Sequence, residues 1–402
     1  MRVLIHDYSG HAFTVQLARW MAAQGVETHY WYSSAFESPH GVLRRLPGDP
    51  PAFQIRGIGE GLVALNKYSP LVRIKQEKAY GWSVGREAAA LAPDFALSNA
   101  PPQIQGAIRR AVQSRHGRFL FWMQDIYCLA LRQLLRRKSR PAAAILGPVF
   151  EAFETAQLRK SDLVVCISDA FRAYCNAHGV VPDKSFVIEN WAPLPEIPVL
   201  PKDNAWAKAH GLDGKFVFLF SGTLGLKHNP EIFVALAQSL RDCPNAACVV
   251  VSQGAGRRLL ERRKAELGLS NLHLFDYRLH DEFPLVLAAA DVLMAILEPF
   301  ASELSVPSKV LAYTCAGRAL LAAIPAENRS ARLVTESGAG VVVAPGDIET
   351  FVAAAHAMMQ DDDGRQRHAA AGRAFAEKTF DIDRIGGLFL AALEESRSED
   401  RL

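Results

Sequence analysis

No run of about 18 apolar residues, the length needed to cross a bilayer, occurs in this 402-residue sequence. The longest apolar stretch with helical character, Pro141 to Phe150, is too short, which argues against a spanning chain. The opening Met1-Arg-Val-Leu-Ile-His-Asp-Tyr-Ser-Gly-His11 lacks the long apolar centre and small-residue cleavage site of an export signal, so a cytoplasmic chain is expected. Cysteine is sparse. Its six positions (128, 166, 175, 243, 248 and 315) are scattered without any CxxC pair, and they are expected to be buried, reduced thiols rather than metal or redox ligands. Disorder is excluded by composition, with 50% of the residues hydrophobic, 22% charged and mean hydropathy near zero.

What is present is enough chain for two hydrophobic cores, since a single core stops growing at about 250–300 residues. The net charge of +3 conceals an asymmetry: residues 1–200 carry 23 basic against 16 acidic side chains, whereas residues 201–402 carry 22 against 26. Nine basic residues between Arg109 and Arg140 meet one acid, Asp125. A solvated basic face, an anionic membrane surface and an anionic substrate are all open readings of that stretch. No nucleic-acid-binding motif accompanies the charge, so no nucleic-acid partner is expected.

Short apolar runs alternate with amphipathic stretches along the whole chain, the pattern of βαβ units and a parallel sheet. In the first half, strands are predicted at Arg2–His6, Val26–Tyr32, Phe95–Ser98, Phe119–Met123, Leu163–Ile167 and Phe186–Ile188. The second half repeats the pattern at Phe216–Phe220, Cys248–Val251, Leu272–Phe275, Val292–Ile296, Leu320–Ile324 and Val341–Val343. Between the halves, Pro193, Pro195, Pro198 and Pro201 punctuate a segment without helical period, read as an extended connector. The expected organisation is a domain over 1–195, a second over 196–380, and a C-terminal helix over 381–402 packing back on the first. In such sheets ligands bind beyond the carboxyl ends of the strands, so two doubly wound domains facing across a cleft place function in the strand-to-helix loops.

The loop Ser221-Gly-Thr-Leu-Gly-Leu-Lys-His-Asn-Pro-Glu231 leaves a strand and enters a helix, with Asn229 a candidate N-cap and Pro230 the first helical position. Gly222 and Gly225 permit close backbone approach to a ligand, and Lys227 can reach an anion, although an ordinary tight turn with a solvated lysine is also open. Farther on, Glu303-Leu-Ser-Val-Pro-Ser-Lys309 precedes an apolar helix. Lys309 in the first turn is anomalous, because the positive end of the helix dipole disfavours a cation there. Either an anion binds at that end, or Lys309 pairs with Glu303 or Glu298.

Together with Phe121-Trp-Met-Gln-Asp-Ile-Tyr127, Ser161-Asp-Leu-Val-Val-Cys-Ile-Ser-Asp-Ala-Phe171 and Val187-Ile-Glu-Asn-Trp-Ala-Pro193, these motifs resemble the GT-B glycosyltransferases of family 4, in particular bacterial enzymes that build cell-surface polysaccharides. The resemblance covers roughly residues 1–345. It implies that the second domain holds a nucleotide-diphosphate sugar and the first a saccharide acceptor. Gly222, Thr223, Lys227, Ser305, Val306, Ser308 and Lys309 would then face the donor phosphates, with Glu303 beside them. Gly254, Tyr277, Arg278 and Leu279 would lie by the nucleoside. Many members carry an Arg where Thr223 stands and two glutamates in an EX7E pattern, where this chain has Leu304 and Ala312. Acceptor contacts are expected from Asp7, Ser9, Gly10, His11, Asp125 and Asn190. Asp125 could orient the acceptor hydroxyl or cap the helix starting at Tyr127, His11 could be only a helix-start residue, and Asn190 could simply end its strand.

Catalytic roles are thus expected for Lys227, Lys309, Asp125 and His11, with fixed donors meeting the charge that develops on the leaving diphosphate. The DDDG sequence at 361–364 falls between helices and reads as a surface turn, so neither a metal nor another cofactor is expected. Retention of configuration is implied by the resemblance. The basic first domain and the apolar-basic segment Leu129–Phe153 suit a lipid-linked acceptor and peripheral docking on the inner face of the cytoplasmic membrane. Rival expectations are a GT-B nucleotide-sugar epimerase and a catalytically silent GT-B subunit.

Overall fold

The computed structural model describes every residue except 36–39, 61–69, 226–227, 278–279, 302–307 and 399–402. Contacts divide the chain into one unit of Met1–Asn190 together with the segment from Ile382, and a second of Trp191–Asp381.

In the first unit seven parallel strands run in the order β3-β2-β1-β4-β5-β6-β7: β1 (Arg2–Asp7), β2 (Glu27–Ser33), β3 (Phe53–Ile58), β4 (Phe95–Ser98), β5 (Arg118–Met123), β6 (Leu163–Cys166) and β7 (Ser185–Val187). The helices are α1 (Ala12–Ala23), α2 (Pro70–Leu91), α3 (Pro102–Gln113), α4 (Tyr127–Lys138), α5 (Arg140–Arg159) and α6 (Asp169–Ala177). Strands β1, β4 and β5 are buried nearly throughout, which is why they read as continuous apolar runs. The order reverses between β1 and β4, the kind of switch point beyond which doubly wound sheets take up ligands.

The second unit holds α7 (Ala205–Ala209), β8 (Phe216–Ser221), α8 (Glu231–Ser239), β9 (Ala246–Val251), α9 (Ala255–Leu267), β10 (Leu272–Phe275), α10 (Phe283–Ala288), β11 (Val292–Ile296), α11 (Ser308–Cys315), β12 (Ala319–Ala323), α12 (Arg329–Ser337), β13 (Gly340–Val343), α13 (Ile348–Gln360) and α14 (Asp362–Thr379). Its parallel sheet runs β10-β9-β8-β11-β12-β13, with the switch point between β8 and β11. Phe218, Phe220, Phe233, Val250 and Met294 belong to one fully buried cluster between sheet and helices. Both units are doubly wound Rossmann-like α/β structures.

The last helix, α15 (Ile382–Ser398), packs on α1 of the first unit. Trp20 Nε1 donates to Asp383 at 2.6 Å, and Phe389 meets Trp122 edge-on at 4.8 Å. Any Cβ on Gly386 would sit 2.2 Å from the Trp20 ring, so only glycine allows this approach.

Four sequence expectations change. Strand β3 was not anticipated, because Phe-Gln-Ile-Arg-Gly-Ile at the sheet edge is buried at its two ends and only partly covered between them. The segment Leu129–Phe153 is two helices, broken at the extended Ser139 (φ −160°), whose side chain caps α5 by accepting from Ala142 N. The acidic run at 361–364 starts a helix: Asp361 Oδ1 accepts from Gly364 N at 2.8 Å. The connector is not simply extended, since Trp191 and Ile197 are buried and Leu194–Glu196 forms a 3-10 turn. All six cysteines are free thiols, and all but the partly exposed Cys243 are buried.

Candidate functional site

Two sets of residues gather at the two switch points. In the first unit, β1 ends at Asp7, which is fully buried, and its carboxylate organises the loop that follows. It accepts from Ser9 N (3.1 Å), His11 N (2.6 Å), His11 Nδ1 (3.0 Å), Tyr30 OH (3.1 Å) and the Thr14 hydroxyl. Gly10 turns this loop at φ +70°, where a Cβ would strike Leu43 at 2.7 Å. Asp7 was expected among the acceptor contacts; its carboxylate oxygens are instead engaged by groups within the unit, where it fixes His11.

Burial pushes the Asp7 carboxyl upward, but the charge and hydrogen bonds of His11, with the Thr14 bond, hold it well below the usual carboxylate range. Burial opposes charge on His11 too. There the Asp7 carboxylate, by charge and by hydrogen bond, and the charge of Asp125 win, and the His11 pKa is raised. With Nδ1 committed to Asp7, Nε2 is the polar atom left to a substrate on a side chain 42% exposed. His6, one residue before Asp7, belongs to the core: it bonds Ser98 Oγ and Tyr80 OH, each at 2.9 Å, and burial brings its pKa down to about 4.

Asp125 follows β5 and does not cap α4. The first-turn N–H groups of Tyr127 and Cys128 donate instead to the buried Glu154 of α5, at 3.0 and 2.8 Å. Asn190 forms a reciprocal carboxamide pair with Gln124, at 3.1 and 2.6 Å, tying the ends of β5 and β7. Sequence reasoning missed Arg73 and Glu77 on α2. Glu77 is 2% exposed, receives Arg73 Nε at 2.7 Å and a Gln103 amide hydrogen, and holds the guanidinium in the electrostatic field of Tyr8 and Tyr127. A buried acid on a long helix gives no local motif.

In the second unit, Gly222 leaves β8 at φ +152°, and a Cβ there would lie 2.9 Å from Lys309 Cε. The turn is pinned by Tyr313 of α11, whose hydroxyl accepts from Ser221 N at 2.9 Å and donates to Ser221 O at 3.0 Å. Lys309 Nζ lies 4.5 Å from the centre of the Phe220 ring and 3.3 Å from His228 Nε2. Thr223 accepts from Tyr277 OH at 2.5 Å, and burial raises the Tyr277 phenol to about 12. Gly254, at φ +101°, caps α9, and Gly256 N donates to Leu224 O at 3.1 Å, locking the two glycine loops together. Helix α8 begins one residue later than expected, at Glu231, whose N–H donates to Asn229 Oδ1 at 3.1 Å. Thus Gly222, Thr223, Tyr277 and Lys309 converge around the end of β8, and Ser308 opens α11 beside them. Lys227, Arg278, Leu279, Glu303, Ser305 and Val306 lie outside the described residues.

Residues 215–361 match the family model described as Glycosyl transferases group 1. The matched span contains this whole convergence. A protein of Escherichia coli (strain K12) named as a colanic acid biosynthesis glycosyl transferase, WcaI, is 26% identical over 238 residues, 58% of this chain and 57% of that protein. The chain aligns with about half the length of the curated relatives it matches. Among solved structures, Anabaena HepE in complex with UDP and glucose superposes with TM-score 0.69 at 16% identity, covering 98% of this chain and 99% of that one. WaaG, a glycosyltransferase involved in lipopolysaccharide biosynthesis, gives TM-score 0.67 at 18% identity, with 98% of each chain covered. The fold is of the GT-B type. Among the described residues no helix is long and apolar enough to cross a membrane, and no group of His, Cys, Asp or Glu side chains is arranged to hold a metal ion.

Proposed function

We propose that this chain transfers a glycosyl group from a nucleoside-diphosphate sugar to a hydroxyl of a saccharide acceptor, in the manner of family 4 glycosyltransferases and as a step of cell-surface polysaccharide synthesis. The observation that carries the reading is the approach of the Lys309 side chain to Gly222 at the switch point of the second unit, inside the family match. Glycine at the strand end lets a diphosphate come close, and the lysine supplies fixed positive charge where the leaving group becomes more negative. The α11 dipole adds to it, so the chemistry needs no divalent ion. Transfer proceeds with retention, the leaving phosphate taking the acceptor's proton while His11, aimed by Asp7, and Asp125 orient the acceptor hydroxyl.

The acceptor is carried on a membrane lipid at the cytoplasmic face. Supporting this, the exposed side of α5 over three turns presents Pro141, Ala144, Ile145, Leu146, Val149 and Phe153 with no charged residue among them, and Ile145 is 71% exposed. Exposed Arg136 and Arg140 stand at one end and Arg159 and Lys160 at the other, suiting an anionic surface.

The test is a panel of UDP-, GDP- and dTDP-sugars. Slow release of nucleoside diphosphate by the wild type, reduced about 10- to 100-fold in Lys309→Ala, is expected from loss of a hydrogen bond to a charged group. Nucleotide binding without any turnover would favour the silent-subunit alternative, to which Ala312 in place of a family glutamate lends weight. No binding by any nucleotide would overturn the proposal.

A further inference from the structure

The two oxygens of the Asp7 carboxylate are not equally loaded. Oδ1 takes Ser9 N–H at 3.1 Å, whereas Oδ2 takes His11 N–H at 2.6 Å, the Tyr30 hydroxyl at 3.1 Å and the Thr14 hydroxyl. His11 Nδ1 stands almost midway, 3.0 Å from Oδ1 and 3.1 Å from Oδ2. Asp7, Thr14 and Tyr30 are each 0% exposed, so water does not compete for these bonds. Strand register brings the phenol in: Tyr30 of β2 lies beside Ile5 of β1, and Ile5 and Asp7 share the face of the sheet on which Thr14 of α1 reaches the carboxylate.

An ionised carboxylate only accepts, and burial together with the Asp7 charge pushes the Tyr30 phenol well above its usual range, so the phenol keeps its hydrogen. The Thr14 and Tyr30 oxygens are 3.0 Å apart, which lets that hydrogen act on Asp7 directly or through Thr14. The charged carboxylate outcompetes the neutral His11 carbonyl, 2.7 Å from Thr14 Oγ1, for the hydroxyl hydrogens. With Oδ2 crowded by donors, Oδ1 is the oxygen with room for Nδ1–H. In the transfer proposed above, the acceptor hydroxyl gives its single hydrogen to the leaving diphosphate as its oxygen bonds the anomeric carbon. A hydrogen bond from His11 to that oxygen is therefore donated by Nε2–H, while Nδ1–H goes to Asp7.

We infer that Tyr30, assisted by Thr14, is a positioning residue for this transfer: the two hydroxyls hold Oδ2 of Asp7, leave Oδ1 to Nδ1–H, and so set His11 as a double donor that offers Nε2–H to the acceptor oxygen. This rests on the glycosyltransferase reading and adds to it two residues, on β2 and α1, that no sequence motif nominated. Each hydroxyl also draws off carboxylate charge that would otherwise hold the proton on His11. Removing the phenol therefore raises the His11 pKa, whereas neutralising the carboxylate lowers it. Other charged or titratable groups around the pair are Asp125, which acts on His11, and His6, on the opposite face of β1 and brought down to about 4 by burial. Arg19 of α1 acts on Tyr30 and is bonded to Asp49 at 2.7 Å, and Asp383 of α15 is bonded to Trp20. Tyr30→Phe leaves all four in place.

The experiment titrates the His11 ring by NMR in wild type, Tyr30→Phe, Thr14→Val, Thr14→Ser and Asp7→Asn, with thermal unfolding of each protein. Alongside, it records the pH profile of nucleoside-diphosphate release from the UDP-, GDP- or dTDP-sugars that the wild type turns over. The midpoint should move up in Tyr30→Phe and Thr14→Val, return to the wild-type position in Thr14→Ser and move down in Asp7→Asn. The alkaline limb of the rate should move with it, because the double donor is the charged ring. Relative to its own plateau, Tyr30→Phe should keep about 2- to 10-fold more rate than the wild type on that limb, as for loss of one hydrogen bond. A merely structural loss lowers the plateau and leaves the limb where it is. Thr14→Val, which keeps the side-chain shape, decides the question if Tyr30→Phe does not fold. An unchanged midpoint in the folded variants, or a midpoint that moves without the limb, overturns the inference and leaves the glycosyltransferase reading standing. A wild type that turns over no donor overturns that reading and this role with it.

Discussion

The imidazole of His11 is held by the carboxylate of Asp7, Nδ1 to Oδ1 at 3.0 Å, with Asp7 wholly buried and His11 partly open. This asymmetry makes the pair a one-way device: Asp7 has nothing left to offer a substrate, and His11 has one nitrogen free of the pairing. Asp7→Asn is expected to lower the His11 pKa, because burial continues to disfavour the imidazolium once the opposing charge is gone. Proton NMR titration of the His11 ring checks this, and an unchanged midpoint refutes it. In the wild type the two contributions have opposite pH windows. His11, with its pKa raised, adds stability that is complete below about 6.5 and lost as pH rises through the raised value. Asp7, with its pKa lowered, adds stability present above about 4 and lost as pH falls through the lowered value. Asp7→Ala strands several buried donors and should cost about 3–5 kcal/mol in denaturant unfolding.

Tyr313→Phe removes both hydrogen bonds to the Ser221 backbone in a side chain that is fully buried. The expected loss is about 1–3 kcal/mol of unfolding free energy, the cost of leaving a buried backbone group unpaired. Nucleotide affinity should fall with it, since the turn that presents Gly222 loses its anchor. A variant as stable as the wild type in urea would show that the Tyr313 hydroxyl is not what holds the turn.

Gly222→Ala meets two obstacles, a backbone at φ +152° and a new Cβ 2.9 Å from Lys309 Cε. The strained backbone should cost about 1–3 kcal/mol. The flexible lysine end can move aside, so the protein should still fold while the ammonium leaves its position over Phe220. Calorimetric titration with UDP, GDP and dTDP should then show weaker binding to every one of them that the wild type binds. Undiminished binding would mean that the lysine position over Phe220 is irrelevant to the phosphates.

Replacing Ile145, Val149 and Phe153 together by Ser should abolish sedimentation with vesicles rich in anionic lipid while leaving thermal stability unchanged, because these side chains are 71%, 59% and 42% exposed and pack little in the unit. High salt should release the wild type from the same vesicles, and neutral vesicles should bind it weakly. Binding that survives the triple substitution would exclude α5 as the docking face.

The alternation of short apolar runs with amphipathic stretches was sufficient to read two parallel-sheet units, because strands buried on both faces are predominantly apolar and so announce themselves locally. Strand β3 escaped because an edge strand has one flank and part of its surface open, and Gln54, Arg56 and Gly57 are compatible with that exposure. The glycines and lysine of the second-unit loops were legible for a similar reason: a close backbone approach admits almost no other residue. What stayed hidden depends on partners distant in sequence. Glu154 takes the first-turn N–H groups that Asp125 was a candidate to cap, from 27 residues away, and Glu77 positions Arg73 from within a helix whose pattern carries no motif. His11 is both the residue that starts α1 and an imidazole positioned by Asp7, and the second role is visible only once folding buries Asp7 beside it. Local sequence determined which segments could be strands and which loops could admit a phosphate. Only the tertiary structure decided which polar groups face one another, because proton ownership and desolvation are properties of neighbours that the chain brings together on folding.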